Sequence, residues 1–291
     1  MKTVNKERAI SFGLICITLF SGFAFFVLTV YPNMQITRFH KAFKKTQSTG
    51  DFTLLTENPA LFEPYTSIQP WLRYLFMGLL VKGYNSEDRA MSVALMPFAV
   101  AKLEETLPKT APYLNSYLQL GKGYEILAFT KSKNFKESAE IKKAEVYYKE
   151  ALALVPNQQT TIIAYSINLY NQGKIAEAIA LLRNSIADDD QIPELHYYLG
   201  QYLVYQNEKN APEALSEIEI SYNAGAEIDA GLSQKTYQKM LFYFAKVKDV
   251  RNATTVLNRL MQIDPKQSQI YAGILDYIAA NKKIPELEAN Q

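Results

Sequence analysis

The sequence predicts an all-α protein, in which an N-terminal transmembrane helix is followed by a solenoid of helix-turn-helix repeats. Three observations carry that prediction. Residues Ala9 to Tyr31 contain no charged side chain. From Tyr117 onward, small and aromatic residues recur with a period of about 34 residues. The chain is 48% apolar and 21% charged, which places it well outside disordered composition and gives it enough apolar surface for a core.

At the N-terminus, residues 1–8 form a short basic tail with Lys2, Lys6 and Arg8 against Glu7. Residues 9–31 form the expected span, because a helix of that length covers the ~30 Å hydrocarbon core of a bilayer. Gly22-Phe23-Ala24 offers small residues at the spacing of a cleavable signal, but Phe25 to Val30 carry the apolar run past it, so an uncleaved anchor is expected. Cys16, the single cysteine, follows Leu14-Ile15 rather than small residues, which argues against lipid attachment and excludes an intrachain disulfide. Flanking cations are nearly balanced, with Lys2, Lys6 and Arg8 before the span and Arg38, Lys41, Lys44 and Lys45 after it. A short tail before one long apolar helix favours a cytoplasmic N-terminus and an extracytoplasmic remainder. Residues 32–50 read as a basic juxtamembrane linker, whose cations either meet lipid headgroups or end a solvated helix.

Residues 51–111 read as a helical lead-in. Pro70 to Val81 is strongly apolar but only about a dozen residues long and carries Arg73, so a buried core helix is expected rather than a second span. Ser86-Glu87-Asp88 supplies a capping side chain and early acids, and the helix they start runs toward Leu103 with a kink at Pro97.

The repeats occupy residues 112–280. Tyr117, Leu120, Gly121 and Tyr124 have the spacing aromatic-x2-Leu-Gly-x2-Tyr, and Ala144, Tyr148, Ala151 and Pro156 follow as Ala-x3-aromatic-x2-Ala-x4-Pro. Together they resemble the two helices of a tetratricopeptide (TPR) unit. The large residues lie three and four apart on one face, the Gly and Ala let the second helix approach closely, and the Pro stops it. The second unit has Ile162, Tyr165, Ser166 and Leu169 in its first helix, Gly173 at the turn, Ala178, Leu182 and Ser185 in its second, and Asp190 at its end. A third shows His196, Leu199 and Gly200, then Ala214, Ile218 and Ser221; a fourth has Tyr237 to Phe244, then Ala253, Leu257, Leu260 and Pro265. Tyr271, Ile274, Leu275 and Ile278 suggest a capping helix, and residues 281–291 a polar tail. The first unit is expanded between Tyr124 and Ala144, where an inserted basic stretch, Lys131 to Lys136, is expected as a loop or an extended helix end.

The TPR resemblance implies protein partners, bound in the groove lined by the first helices of the units. Transferring the family's groove positions gives Lys122, Glu125, Thr160, Tyr170, Asn171, Glu194, Tyr197, Gln201, Tyr205, Gln238, Phe242 and Lys246. Aromatic area with amide and charged neighbours suits an extended peptide or a helix; the rival reading of Tyr197 and Tyr205 is packing between helices. The Lys and Asn pattern with which some TPR co-chaperones clamp a C-terminal carboxylate is absent.

A narrower likeness rests on the layout. A span, a basic flank, an apolar lead-in, a first repeat with a long insertion and the run Ala151 to Gln159 resemble the last transmembrane helix and extracytoplasmic TPR region of bacterial O-antigen ligase and polymerase-like membrane proteins. That likeness implies envelope polysaccharide machinery as the setting. The many spans and catalytic residues of those enzymes have no counterpart here, so a non-catalytic helper is expected. A cytoplasm-facing adaptor of another membrane assembly and a glycan-binding accessory subunit remain open alternatives.

No chemistry-bearing constellation emerges. His196 sits in an aromatic packing slot, and the other histidine, His40, is juxtamembrane. Asp188-Asp189-Asp190 falls at a repeat end and lacks the alternating ligands and closing Glu of a calcium loop. Gly121-Lys122-Gly123 lacks the frame of a phosphate loop. Neither a metal nor a cofactor is expected, and a net charge of +2 without a long basic run gives no indication of nucleic acid binding.

Overall fold

The computed structural model describes residues 31–285 apart from 59–60, 63–68, 110–112 and 227–229. The expected span, save Tyr31, lies outside the described residues, as does the end of the polar tail. Among the described residues every regular element is helical, and no helix is long and apolar enough to cross a membrane. The chain divides into two compact units, Met1–Lys133 and Asn134–Gln291. The division falls within the segment that carries the first repeat signature.

The first unit contains α1 (Tyr31–Thr49), a single helical turn at Thr53–Thr56, α2 (Gln69–Gly83), α3 (Arg89–Glu104) and α4 (Leu114–Lys131). Where the sequence suggested a linker over 32–50, the chain is helical almost throughout. The reason is a helical spacing of four, four and three hidden among the charges: Gln35, Phe39, Phe43 and Thr46 form one buried face. Phe39 is fully buried and packs edge-on against Phe62 and Phe76, with ring centroids 6.0 and 5.8 Å away. Phe98 closes the cluster at 5.5 Å from Phe62. Gly50 ends α1 at φ +70°, a conformation that other residues reach only with strain.

The apolar stretch at 70–81 is the buried helix α2, and its charge is accommodated. Arg73 is 3% exposed, donates from Nε and Nη2 to the Phe62 carbonyl and from Nη1 to the Lys102 carbonyl at 2.9 Å, and lies 3.5 Å from Glu105. Ser86 Oγ accepts from the Asp88 amide in the turn before α3, and Pro97 lies inside α3 on an exposed position. On α4, Gly123 allows a close approach: a Cβ there would come within 2.7 Å of Met77 Cε and 3.0 Å of Val100 Cγ2.

The second unit is a run of helical hairpins: α5 (Ala139–Leu154), α6 (Gln159–Asn171), α7 (Ile175–Asp188), α8 (Pro193–Gln206), α9 (Ala211–Asn223), α10 (Ala230–Lys246), α11 (Val250–Ile263) and α12 (Ser268–Asn281). Each helix packs on the next from α5 to α12, and the alternate helices α6, α8 and α10 also touch directly. This is the TPR-like solenoid arrangement, with first helices forming one layer and second helices the other. The repeat register is visible in burial. Ala144, Ala178, Ala214 and Ala253 are all 0% exposed, and so are Tyr148, Leu182 and Leu257 one turn later. Gly173 turns α6 into α7 at φ +81°. Gly200 is required by contact, since a Cβ would lie 2.6 Å from Ile218 Cγ1 and 2.7 Å from the Ala214 carbonyl oxygen. The expanded connection of the first repeat signature becomes a longer α4, ending at Lys131, and a 3-10 turn at Phe135–Glu137.

Candidate functional site

The layer formed by α6, α8 and α10 carries a tyrosine cluster. Tyr170, near the end of α6, stacks on Tyr202 of α8 with centroids 4.8 Å apart and planes 11° from parallel. Tyr205, one turn further along α8, meets Tyr170 edge-on at 6.0 Å. Lys239 of α10 places its Nζ 4.8 Å from the centre of the Tyr205 ring, a cation–π contact. Tyr198 extends the cluster at 6.1 Å from Tyr202, and Tyr197 adjoins Tyr198 at 5.4 Å.

The sequence places these rings together through ordinary helix geometry. Tyr198, Tyr202 and Tyr205 are spaced i, i+4, i+7 and share one stripe of α8. Pro193 in the first turn starts that helix, and Asn207, whose side chain accepts from the Lys209 amide, follows its end. Tyr202 is buried and serves as the floor, whereas Tyr170, Tyr198 and Tyr205 are half-buried. Burial first, and Tyr205 beside it second, push the Tyr170 hydroxyl above the usual tyrosine range, so it remains a neutral donor.

Of the groove positions expected from the sequence, Tyr170 and Tyr205 are brought together. Tyr197 is 3% exposed and accepts from Ser233 Oγ at 3.3 Å, so it packs between helices. Gln201 is likewise buried. Thr160 is exposed in the first turn of α6, and Asn171 and Glu194 are half-buried at the ends of α6 and α8. On α10, Gln238 donates to the Tyr271 hydroxyl at 3.3 Å, Phe242 is 37% exposed, and Lys246 pairs with Glu208 at 2.7 Å. Lys122 and Glu125 belong to α4 of the first unit. There, burial lowers the Lys122 ammonium below its usual range, and the Glu125 charge partly offsets it. Tyr198, Tyr202 and Lys239 are absent from the expected set, although the i, i+4, i+7 tyrosine spacing on α8 was open to view.

Two other polar clusters are structural. His196 has Nδ1 2.6 Å from Glu217 Oε2 and Nε2 3.1 Å from the Asp190 carbonyl oxygen, so both ring nitrogens are engaged in tying α8 to α9 and to the preceding turn. The adjoining cavity, about 270 Å³, is lined by Asp190, Gln191, Pro193, His196, Ile220 and Ala224. Glu145 of α5 accepts from Lys149 at 2.6 Å, Lys174 at 2.7 Å and Gln172 at 2.9 Å. Burial works to raise this carboxyl, but those donors outweigh it and hold the group at about 2. Among the described residues, no group of three or more His, Cys, Asp or Glu side chains is arranged to hold a metal ion.

Fold and face together define the class: an all-α helical-repeat solenoid with a tyrosine-lined layer of first helices. No protein-family model matches the chain, and no curated protein matches it. Among solved structures it is similar to TTC0263, a thermophilic TPR protein of Thermus thermophilus, at 17% identity and a TM-score of 0.48, over 71% of this chain and 99% of that one. It is also similar to MamA (AMB-1), at 16% identity and a TM-score of 0.41, over 72% of this chain and 96% of that one.

Proposed function

We propose that the chain is a membrane-anchored, non-catalytic scaffold whose second unit docks a protein partner on the α6, α8 and α10 layer. The observation that carries this reading is the grouping of Tyr170, Tyr198 and Tyr205 with Lys239 across three touching helices. Tyrosine supplies large contact area at low entropic cost and a hydroxyl for backbone groups, which is what an extended or helical peptide needs. A rigid floor, Tyr202, keeps the half-buried rings in place before a partner arrives.

Anchoring is supported by the uncharged residues 9–31 alone. The layout resembling the O-antigen ligase-like proteins extends the reading to an extracytoplasmic position and a role in envelope polysaccharide assembly.

Photocrosslinking from Phe242 in the full chain, in its native membranes, is expected to capture a protein. The Tyr170→Ala/Tyr205→Ala double variant is expected to weaken retention of that protein at least ~10-fold, since truncating two well-packed aromatic anchors costs upwards of about 1 kcal/mol each. Undiminished retention by the double variant would sink the docking reading. Protease added to spheroplasts reads the orientation: a protected second unit, with outer control domains cut, places the array in the cytoplasm and favours the adaptor alternative.

A further inference from the structure

We infer that the cationic face of α1 is a docking surface for anionic lipid headgroups, holding the first compact unit against a bilayer. The inference deepens the anchored reading and rests on it in one respect, the nearness of a membrane to residue 31.

Four observations carry it. Arg38, Lys41, Lys44 and Lys45 fall within about a third of the helix circumference at 100° per residue, and all four are exposed. The opposite side is the buried face of Phe39 and Phe43, so the cations are presented by a helix already fixed in the core rather than by a mobile tail. The 19 residues of α1 contain no Asp or Glu, and among the described residues none of the four cations forms an ion pair. The acids that face this region are few: Asp51, held low by its bonds from Thr53 and by the more distant Lys45, and Asp88, which accepts from Gln47 at 3.1 Å.

A preformed cluster of cations without internal counter-charge leaves its field open to an external anionic surface. An anionic leaflet is the source the chain itself brings close, because Arg38 follows the uncharged run by only a few residues. Each Lys or Arg near such a surface strengthens association about five-fold, within a Debye length of about 8–10 Å.

The test uses the full chain carrying Cys16→Ser and Ser48→Cys, labelled at position 48, which lies at the centre of the cationic face. The protein is reconstituted in phosphatidylcholine vesicles containing headgroup-nitroxide lipid, with or without one third phosphatidylglycerol. Quenching is expected to rise at least about two-fold with phosphatidylglycerol and to fall back in 1 M salt, where the Debye length is about 3 Å. It is also expected to fall back in the Arg38→Gln/Lys41→Gln/Lys44→Gln/Lys45→Gln variant, with Trp71 fluorescence checking that its first unit is folded. Equal quenching in both lipids overturns the inference. So does a quadruple variant that behaves as the parent, or one that loses an acidic protein partner when no lipid dependence exists. Carbonate extraction of the same vesicles reads the anchor separately. A chain that is extracted yet shows lipid-dependent quenching removes the anchor and keeps the α1 surface; a retained chain without lipid dependence does the reverse.

Discussion

The two compact units use the same element, a helix paired with its neighbour, but fill the space between helices differently. In residues 31–133 there are seven Phe and seven Tyr, and the centre is a phenylalanine cluster with one buried guanidinium, Arg73, bonded to two carbonyls. In residues 134–291 there are thirteen Tyr and three Phe, and the close approaches are made by Ala and Gly at repeat spacing. The first unit is therefore held by shape and by one buried, hydrogen-bonded charge. The second is held by small-residue contacts that recur from repeat to repeat, with tyrosines both buried between its helices and half-buried on the α6 and α8 layer. Such a contrast predicts that single changes in the first unit are either severe or mild, and that changes in the second are graded by repeat.

The largest effect is expected at Arg73. Replacing it by Met strands the Phe62 and Lys102 carbonyls and should cost the first unit about 3–4 kcal/mol, read by urea unfolding followed through Trp71, the single tryptophan. If the cost is under about 1 kcal/mol, the guanidinium is not what organises this core.

Next comes the acid dependence of the second unit. The Glu145 carboxyl sits at about 2 in the folded chain against 4.5 as its ordinary value, so its contribution is fully present above about pH 4.5 and fades as pH falls toward 2. The shift corresponds to about 3 kcal/mol at most. Hydrogen exchange of α5 to α7 should lose protection over that window in the parent, and much less steeply in Glu145→Gln. Parallel pH profiles for the two proteins would assign the acid sensitivity elsewhere.

Two glycines then sharpen the comparison. At Gly200, an added Cβ meets the Ala214 carbonyl, which cannot move without moving α9, so Gly200→Ala should cost about 2 kcal/mol in α8 and α9 exchange protection. At Gly123 the nearest atom is the flexible end of Met77, and the helix gains about 1 kcal/mol of propensity, so Gly123→Ala should lie within about 0.5 kcal/mol of neutral by Trp71 fluorescence. Equal penalties at the two sites would mean that the units share one packing rule after all. Smallest of all is Arg183→Ala, which removes a half-exposed pair with Glu213 and should change stability by under about 0.5 kcal/mol in the same exchange measurement.

The repeat was legible because its packing is periodic: Ala144, Ala178, Ala214 and Ala253 mark the same slot, and Gly200 stands where two helices nearly touch. The helix α1 was harder to see, since Phe39 and Phe43 are outnumbered by the cations around them, and it takes the aromatics of distant segments, Phe62 and Phe76, to make them a core. The tyrosine cluster was half legible. Family groove positions led to Tyr170 and Tyr205 but skipped Tyr202, the ring on which Tyr170 stacks, because pairing between helices from different repeats is a tertiary fact.

That central ring also bears on mechanics. Tyr170 and Tyr202 lie 11° from parallel, and parallel rings can slide across one another while keeping most of their contact, as edge-on rings cannot. The curvature of a solenoid follows from the small rotation between successive repeats, so any change in it moves each first helix relative to the next. The α6–α8 step of the second unit carries both kinds of contact on one ring, that of Tyr170: the stacked Tyr202 tolerates sliding, and the edge-on Tyr205 acts as a detent that opposes it, at the place where a bound peptide would press.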